Sequence, residues 1–252
     1  MKINSVHTIL WFLKIALLLQ SVGIFLYLLG GSAIETMLFM EMSFEQANSK
    51  LVEKIIAWIF LTLGVVTFFK PYKILLIIIS LGTLGLAFII KTQAGSPYTE
   101  WSIPAHFIRI ILPLGILFLN SKRNHLKATY WLLLIGLAVT FITHGLEAWT
   151  LHPRFIDYLL ISSENTLGIR MKQSTAELIL KIIGSIDILA VLIAFLFPRN
   201  AIFYWMAAWG FITAFARVTE LGWLLYPEVL IRAAHFLVPI SLILIKNRKN
   251  LN

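Results

Sequence analysis

The sequence predicts an all-α fold: a polytopic membrane helix bundle of eight transmembrane helices, arranged as two parallel four-helix repeats. Three observations predict it. Of the 252 residues, 59% are apolar and 13% are charged. Apolar runs of about 20 residues recur along the chain, the length needed to cross ~30 Å of hydrocarbon. The two halves also carry matching segments in the same order. Lipid offers backbone groups no partner, so each run is read as a helix that satisfies its own N–H and C=O groups.

The first run, 9–29, follows a basic start and continues beyond the roughly 7 to 15 apolar residues of a secretory signal, so it is read as a span. Runs 53–69 and 73–91 are split by "KPYK" at 70–73, where proline removes a backbone donor and the lysines favour water. Run 104–120 follows "YTEWSIPAHF" and ends at the basic linker "SKRNHLKAT", 121–129. Run 128–150 closes on "THGLEAW". The connection 151–176 exceeds the roughly 12 residues of an ordinary connector, and its "FIDYLL" patch predicts an amphipathic lid along the membrane surface, from which His152 and Asp157 can reach inward. Run 177–197 holds Asp187 near its centre and stops at "PR"; runs 201–221 and 228–245 complete the chain. The predicted units are a first membrane repeat (1–120), the basic linker (121–129) and a second repeat (130–252).

The repeat rests on ordered matches. "GIFLYLLGGSAIE" at 23–35 aligns without a gap with "GLEAWTLHPRFID" at 145–157, and "KII" at 54–56 with Pro71 recurs as "KII" at 181–183 with Pro198. "YTEWSIPAHF" at 98–107 recurs as "YPEVLIRAAHF" at 226–236 with one residue inserted. An even number of spans per unit makes the copies parallel rather than inverted.

Eight crossings bring both termini to one side. That side carries Lys2, Lys70, Lys73, Lys122, Arg123, Lys127, Arg199, Lys246, Arg248 and Lys249, while all 12 acids lie within the spans or beyond the other face. Retention of basic loops predicts cytoplasmic termini in a bacterial inner membrane. The net charge of +9 is thus read as topology and not as a nucleic-acid surface. With no cysteine, disulfide exchange and thiolate metal sites are excluded. No glycine-rich phosphate loop, nucleophile elbow or zinc-protease motif appears, and no histidine spacing specifies a metal or haem. The sequence leaves enzyme activity undecided.

The polar residues of the second half carry the functional expectation. His144 and Glu147 share a helix face at i, i+3, as do Arg217 and Glu220; Glu228, Arg232 and His235 follow an i, i+4, i+7 stripe, and Asp187 lies deeper. Charges in hydrocarbon require pairing or water, so these eight residues are expected to face one another around a ligand pocket in the outer half of the second repeat. Snorkelling and ordinary interhelical ion pairs are the competing reading for the members near the interface. In the first half, Glu100, His106 and Arg109 remain, but Phe25 and Phe60 occupy the positions of Glu147 and Asp187, so that half is expected to be scaffold.

"THGLEAW", "HPRFID" and "GSIDILAVLIAFLFPR" together resemble the DoxX-like family, over about 127–250. The resemblance implies a four-helix membrane unit, a link to quinone-dependent redox chemistry in some members, and polar family positions at Glu147 and Asp187. Doubling of the unit and absence of cysteine depart from that pattern. Three functions stand open: binding of a small amphipathic ligand, such as a quinone or lipid head group, gripped by Arg217 and Arg232; proton-coupled transport through Asp187 and Glu147; or a structural role beside a membrane protein partner.

Overall fold

The computed structural model describes residues 6–93, 98–121 and 125–248, and among them no strand occurs. In chain order the helices are α1 (Val6–Leu29), α2 (Ala33–Thr36), α3 (Gln46–Phe69), α4 (Lys73–Gln93), α5 (Ser102–Ala105), α6 (Phe107–Leu119), α7 (Leu126–Trp149), α8 (Pro153–Leu167), α9 (Gln173–Leu196), α10 (Asn200–Leu221), α11 (Tyr226–Ile231) and α12 (Ala233–Lys246). Seven helical stretches are long and apolar enough to cross a membrane, and the α11–α12 pair, bent by 43°, makes an eighth when taken as one span. The chain is an all-helical integral membrane bundle.

Two side-chain ties identify one end of the bundle. Asn120 donates to the Pro71 carbonyl (3.3 Å), and Asn200 donates to the Asn247 side-chain oxygen (3.3 Å). Lys70, Lys73, Lys127, Arg199, Lys246 and Arg248 gather at this basic end. Lys2, Lys122, Arg123 and Lys249 lie outside the described residues. The opposite end carries α2, α8 and α11 and is called the lid end.

The central helices are α1, α6, α7 and α12, which bury apolar side chains on most of their circumference. Flanking them, α3, α4, α9 and α10 expose Leu51, Trp58, Leu81, Leu189, Leu192 and Ile212, an apolar belt that only lipid can cover. The same pairings occur in each half: α1 packs on α3 as α7 packs on α9, and α4 on α6 as α10 on α12. The halves meet where α6 lies on α7 and where α1 lies on α11 and α12. Small residues set these approaches, as in membrane bundles generally. A Cβ on Gly145 would come within 2.9 Å of the Gly184 carbonyl, so α7 and α9 touch backbone to backbone there.

The connection 151–176 contains α8, packed against α9 and α10. His152 caps its start by accepting from the Arg154 N–H (3.1 Å), Pro153 stands in its first turn, and Gly168, at φ +67°, ends it in the left-handed region.

The span at 228–245, expected as one helix, is broken at Arg232. There the backbone N–H bonds the Val229 carbonyl (3.1 Å), while the guanidinium takes the Glu228 carbonyl (2.9 Å) that a continuous helix would have used. A milder turn marks the fourth span at His106: its backbone N–H bonds both the Ser102 (3.3 Å) and Ile103 (3.1 Å) carbonyls, and its ring Nδ1 also bonds the Ser102 carbonyl at 2.6 Å. Backbone angles at the two positions agree, −94°, 1° at His106 and −91°, 12° at Arg232. Each is followed by a helix containing a proline, Pro113 or Pro239.

Candidate functional site

The polar residues of the second half surround a cavity of about 160 Å³ bounded by α7, α8, α9, α10 and the start of α12. Trp209, Thr213 and Arg217 form its α10 wall at i, i+4, i+8, a stripe about 12 Å long at ~1.5 Å rise per residue. Asp187, Trp209, His144 and His235 line one stretch, with Gly145 against Asp187 and Gly210 against His235, while Arg217 and Arg232 line the part nearer the lid. Between them the walls are apolar, with Phe141, Leu180, Ile183 and Ile212. From α8, Phe155, Tyr158 and Leu159 close the cavity over.

Its electrostatics are only partly satisfied. His235 Nδ1 contacts the Arg232 carbonyl oxygen at 3.2 Å; that oxygen only accepts, so Nδ1 carries the hydrogen. The other ring nitrogen, Nε2, has no hydrogen-bond partner although His235 is only 4% exposed. Asp187, also 4% exposed, faces the Trp209 indole N–H, which acts on its carboxylate, yet neither Oδ1 nor the indole nitrogen makes a well-formed hydrogen bond. Burying such groups without partners costs about 1–3 kcal/mol each. An unpartnered His235 nitrogen and a poorly bonded Asp187–Trp209 pair therefore line one space.

Around them the charges are paired. His144 Nδ1 meets Glu147 Oε2 at 2.7 Å, and the His144 and His235 rings lie 5.8 Å apart. Glu228 Oε2 is shared by Arg232 Nη1 (3.1 Å) and Arg217 Nε (3.7 Å). Arg217 also bonds the Thr213 carbonyl and lies over the Tyr158 ring, 4.7 Å from its centre. Glu220, 3% exposed, pairs with Arg154 of the lid at 3.2 Å.

Of the eight residues singled out in the sequence, five line this cavity: His144, Asp187, Arg217, Arg232 and His235. Glu147 stands behind His144, and Glu220 ties down the lid. Glu228 lines a second space, because the break at Arg232 turns α11 away from α12 and splits the expected stripe. Asp157 is exposed on α8, and His152 serves as that helix's cap.

The second space, about 210 Å³, lies between the halves. It is lined by Tyr27 of α1, Ser32, Thr83 and Ile89 of α4, His106, Arg109, Glu228 and Arg232, so Arg232 stands on the wall of both cavities. Arg109 of the first half thus lines the same space as the Glu228–Arg232 pair. Glu53, buried on α3, accepts from both the hydroxyl and the N–H of Ser32 and holds the rim.

Sequence reasoning missed Arg154, Tyr158 and Trp209. Phe155, Tyr158 and Leu159 follow an i, i+3, i+4 spacing that marks one buried face of the lid, and a tryptophan at mid-span carries an N–H that lipid cannot satisfy. No group of three or more metal-ligating side chains gathers among the described residues. The chain matches no family model, no curated protein and no solved structure. Function is accordingly argued from the chemistry of the site itself.

Proposed function

We propose that the protein is a membrane ligand-binding protein whose α7–α10 cavity holds a small, elongated amphipathic molecule of the quinone or lipid head-group class. One observation carries the reading: His235 Nε2 is buried without a partner, and Asp187 and Trp209, buried polar groups without a well-formed hydrogen bond, line the same cavity. A molecule with a polar oxygen at each end meets that arrangement. Its inner oxygen accepts from Trp209, or its hydroxyl donates to Asp187 or His235; its outer group meets Arg217 and Arg232; its apolar body lies against Phe141, Leu180 and Ile183. The resemblance of 127–250 to DoxX-like proteins points toward a quinone within this class. The shared helix pairings also favour a tandem duplication of a four-helix unit, and the basic end favours a cytoplasmic location for that end.

The test is native mass spectrometry of the protein released from mild detergent, with extracted small molecules identified. A single bound amphipathic molecule is expected in the wild type and depleted in Trp209→Phe and His235→Leu, which remove two polar contacts separately. Retention of the same molecule at equal occupancy in both variants overturns the reading, as does a wild type that carries water alone. Labelling of Thr166→Cys, exposed on the lid helix, from the side opposite the cytoplasm checks the orientation.

A further inference from the structure

The cleft between the halves differs from the first cavity in its charge. Arg109 is 6% exposed, its Nε has no hydrogen-bond partner, and no carboxylate of the described residues lies within 4.0 Å of its guanidinium. The nearest acid around it is Glu228, already divided between Arg232 and Arg217. Two guanidiniums thus share that carboxylate, and Arg109 is left without one. Glu147, the other acid near Arg217, is bound to His144, and Glu53 is bound to Ser32. A buried cation persists at membrane depth only when paired or solvated. Arg109 stands ten residues along its span from Thr99, about 15 Å from the lid end, too deep for its own side chain to find the interface.

The other walls are shaped for a chain. Leu86, Ile89 and Ile90 project from α4, with Ile24 and Tyr27 from α1 opposite. All but Ile24 are only partly buried, so the cleft opens along α4 on the flank that carries the lipid-facing belt. A polar head with unsatisfied positive charge therefore adjoins an open apolar groove.

We propose that this cleft binds an anionic amphiphile, its carboxylate or phosphate oxygens on Arg109 and Arg232 and its hydrocarbon chain along Leu86, Ile89 and Ile90. Tyr27 supplies a neutral hydroxyl at the rim, where the Ser32 hydroxyl is held by Glu53, and Glu228 orients Arg232 without neutralising Arg109. The head group of a membrane phospholipid and that of a free single-chain amphiphile share this chemistry. The site shares Arg232 with the first cavity but takes its distinctive charge from Arg109, which does not line that cavity.

The experiment titrates the purified full chain with dodecyl phosphate, dodecanol and inorganic phosphate, reading one-to-one adducts by native mass spectrometry and thermal unfolding in a neutral detergent. Dodecyl phosphate is expected to bind and raise the melting temperature; dodecanol and phosphate at equal concentration are expected to do neither. Arg109→Gln is expected to weaken dodecyl phosphate about tenfold, the scale of one lost charge-assisted hydrogen bond. Ile89→Trp, which fills the groove and keeps the guanidinium, is expected to block it. Should Arg109→Gln fail to fold, Ile89→Trp decides. Unchanged dodecyl phosphate binding in the folded variants overturns the proposal, and so does equal binding of dodecanol or of phosphate alone. An anionic phospholipid that co-purifies and is displaced by dodecyl phosphate assigns the occupant to the bilayer; displacement of a single-chain acid assigns it to the free class. Because the first cavity's ligand is read in the same spectra, its presence or absence is scored independently.

Discussion

Gln20 donates its side-chain amide to the main-chain carbonyl of Arg109, 3.1 Å away, across the contact between α1 and α6. That carbonyl needs an outside donor because the residue four positions later is Pro113, which has no N–H to give it. The bond joins the first span to the helix that carries the cleft's unpaired cation.

Gln20→Leu is therefore expected to destabilise the protein by about 1–3 kcal/mol, the cost of leaving a buried carbonyl unsatisfied. Pro113→Ala restores a backbone donor. In that background, Gln20→Leu should cost clearly less, a coupling that unfolding measurements in detergent on the four-member cycle will detect.

Arg154 and Glu220 lie 66 positions apart, yet their ion pair, at 3.2 Å, fastens α8 to the end of α10. Asn165 adds bonds to the carbonyls of Thr219 (3.1 Å) and Glu220 (2.9 Å). Arg154→Ala leaves the Glu220 carboxylate buried without its cation, although the exposed guanidinium is already screened by water, so the expected loss is on the order of 1 kcal/mol. Hydrogen exchange should accelerate across Pro153–Leu167 and little elsewhere. Uniform acceleration through the bundle would argue against a local lid.

The cap of the same helix makes its closure pH-dependent. His152 Nδ1 accepts from the Arg154 N–H, and burial pushes the imidazole below its ordinary value of 6.5. A lowered histidine favours the neutral form in the folded state. The stability it contributes is present above the ordinary value and is lost as pH falls from there through the lowered one. Once the intrinsic pH dependence of exchange is divided out, protection in the first turn of α8 should fall as pH drops below about 6.5. His152→Asn, a cap that does not titrate, should remove the extra acid sensitivity; equal sensitivity in both proteins would discard the cap as its source.

Arg232 touches both cavities and holds the break between α11 and α12. Its removal should harm ligand content and stability far more than Lys249→Ala, at a tail position outside the described residues. Arg232→Ala leaves Glu228 with only the longer Arg217 contact (3.7 Å), and the expected loss is at most about 3 kcal/mol. Arg232→Lys keeps the charge but loses the planar fork that serves the Glu228 carbonyl and carboxylate together. It should fall between wild type and Arg232→Ala in melting temperature and in retained ligand. Equivalence of all four proteins would reduce the last span to an anchor.

Local chemistry in the sequence was enough to determine the helical class, the approximate spans (the second starts at Gln46, earlier than the run at 53), and the contacts that a single helix makes with itself. Run length fixes what crosses a membrane, and the i, i+3 geometry of a helix brings His144 to Glu147 whatever surrounds them. Relations between helices depended on the rotation and depth of each one. Those are set by backbone approaches such as Gly145 on Gly184 and by the turn at His106 and the break at Arg232, which hydropathy does not register. A continuous helix would have kept Glu228 and His235 on one face; the 43° bend at Arg232 assigned them to different cavities. Arg109, Trp209 and Arg154 were visible as residues, but their surroundings came into being only when distant spans packed, because an unpaired polar atom is defined by its neighbours in space.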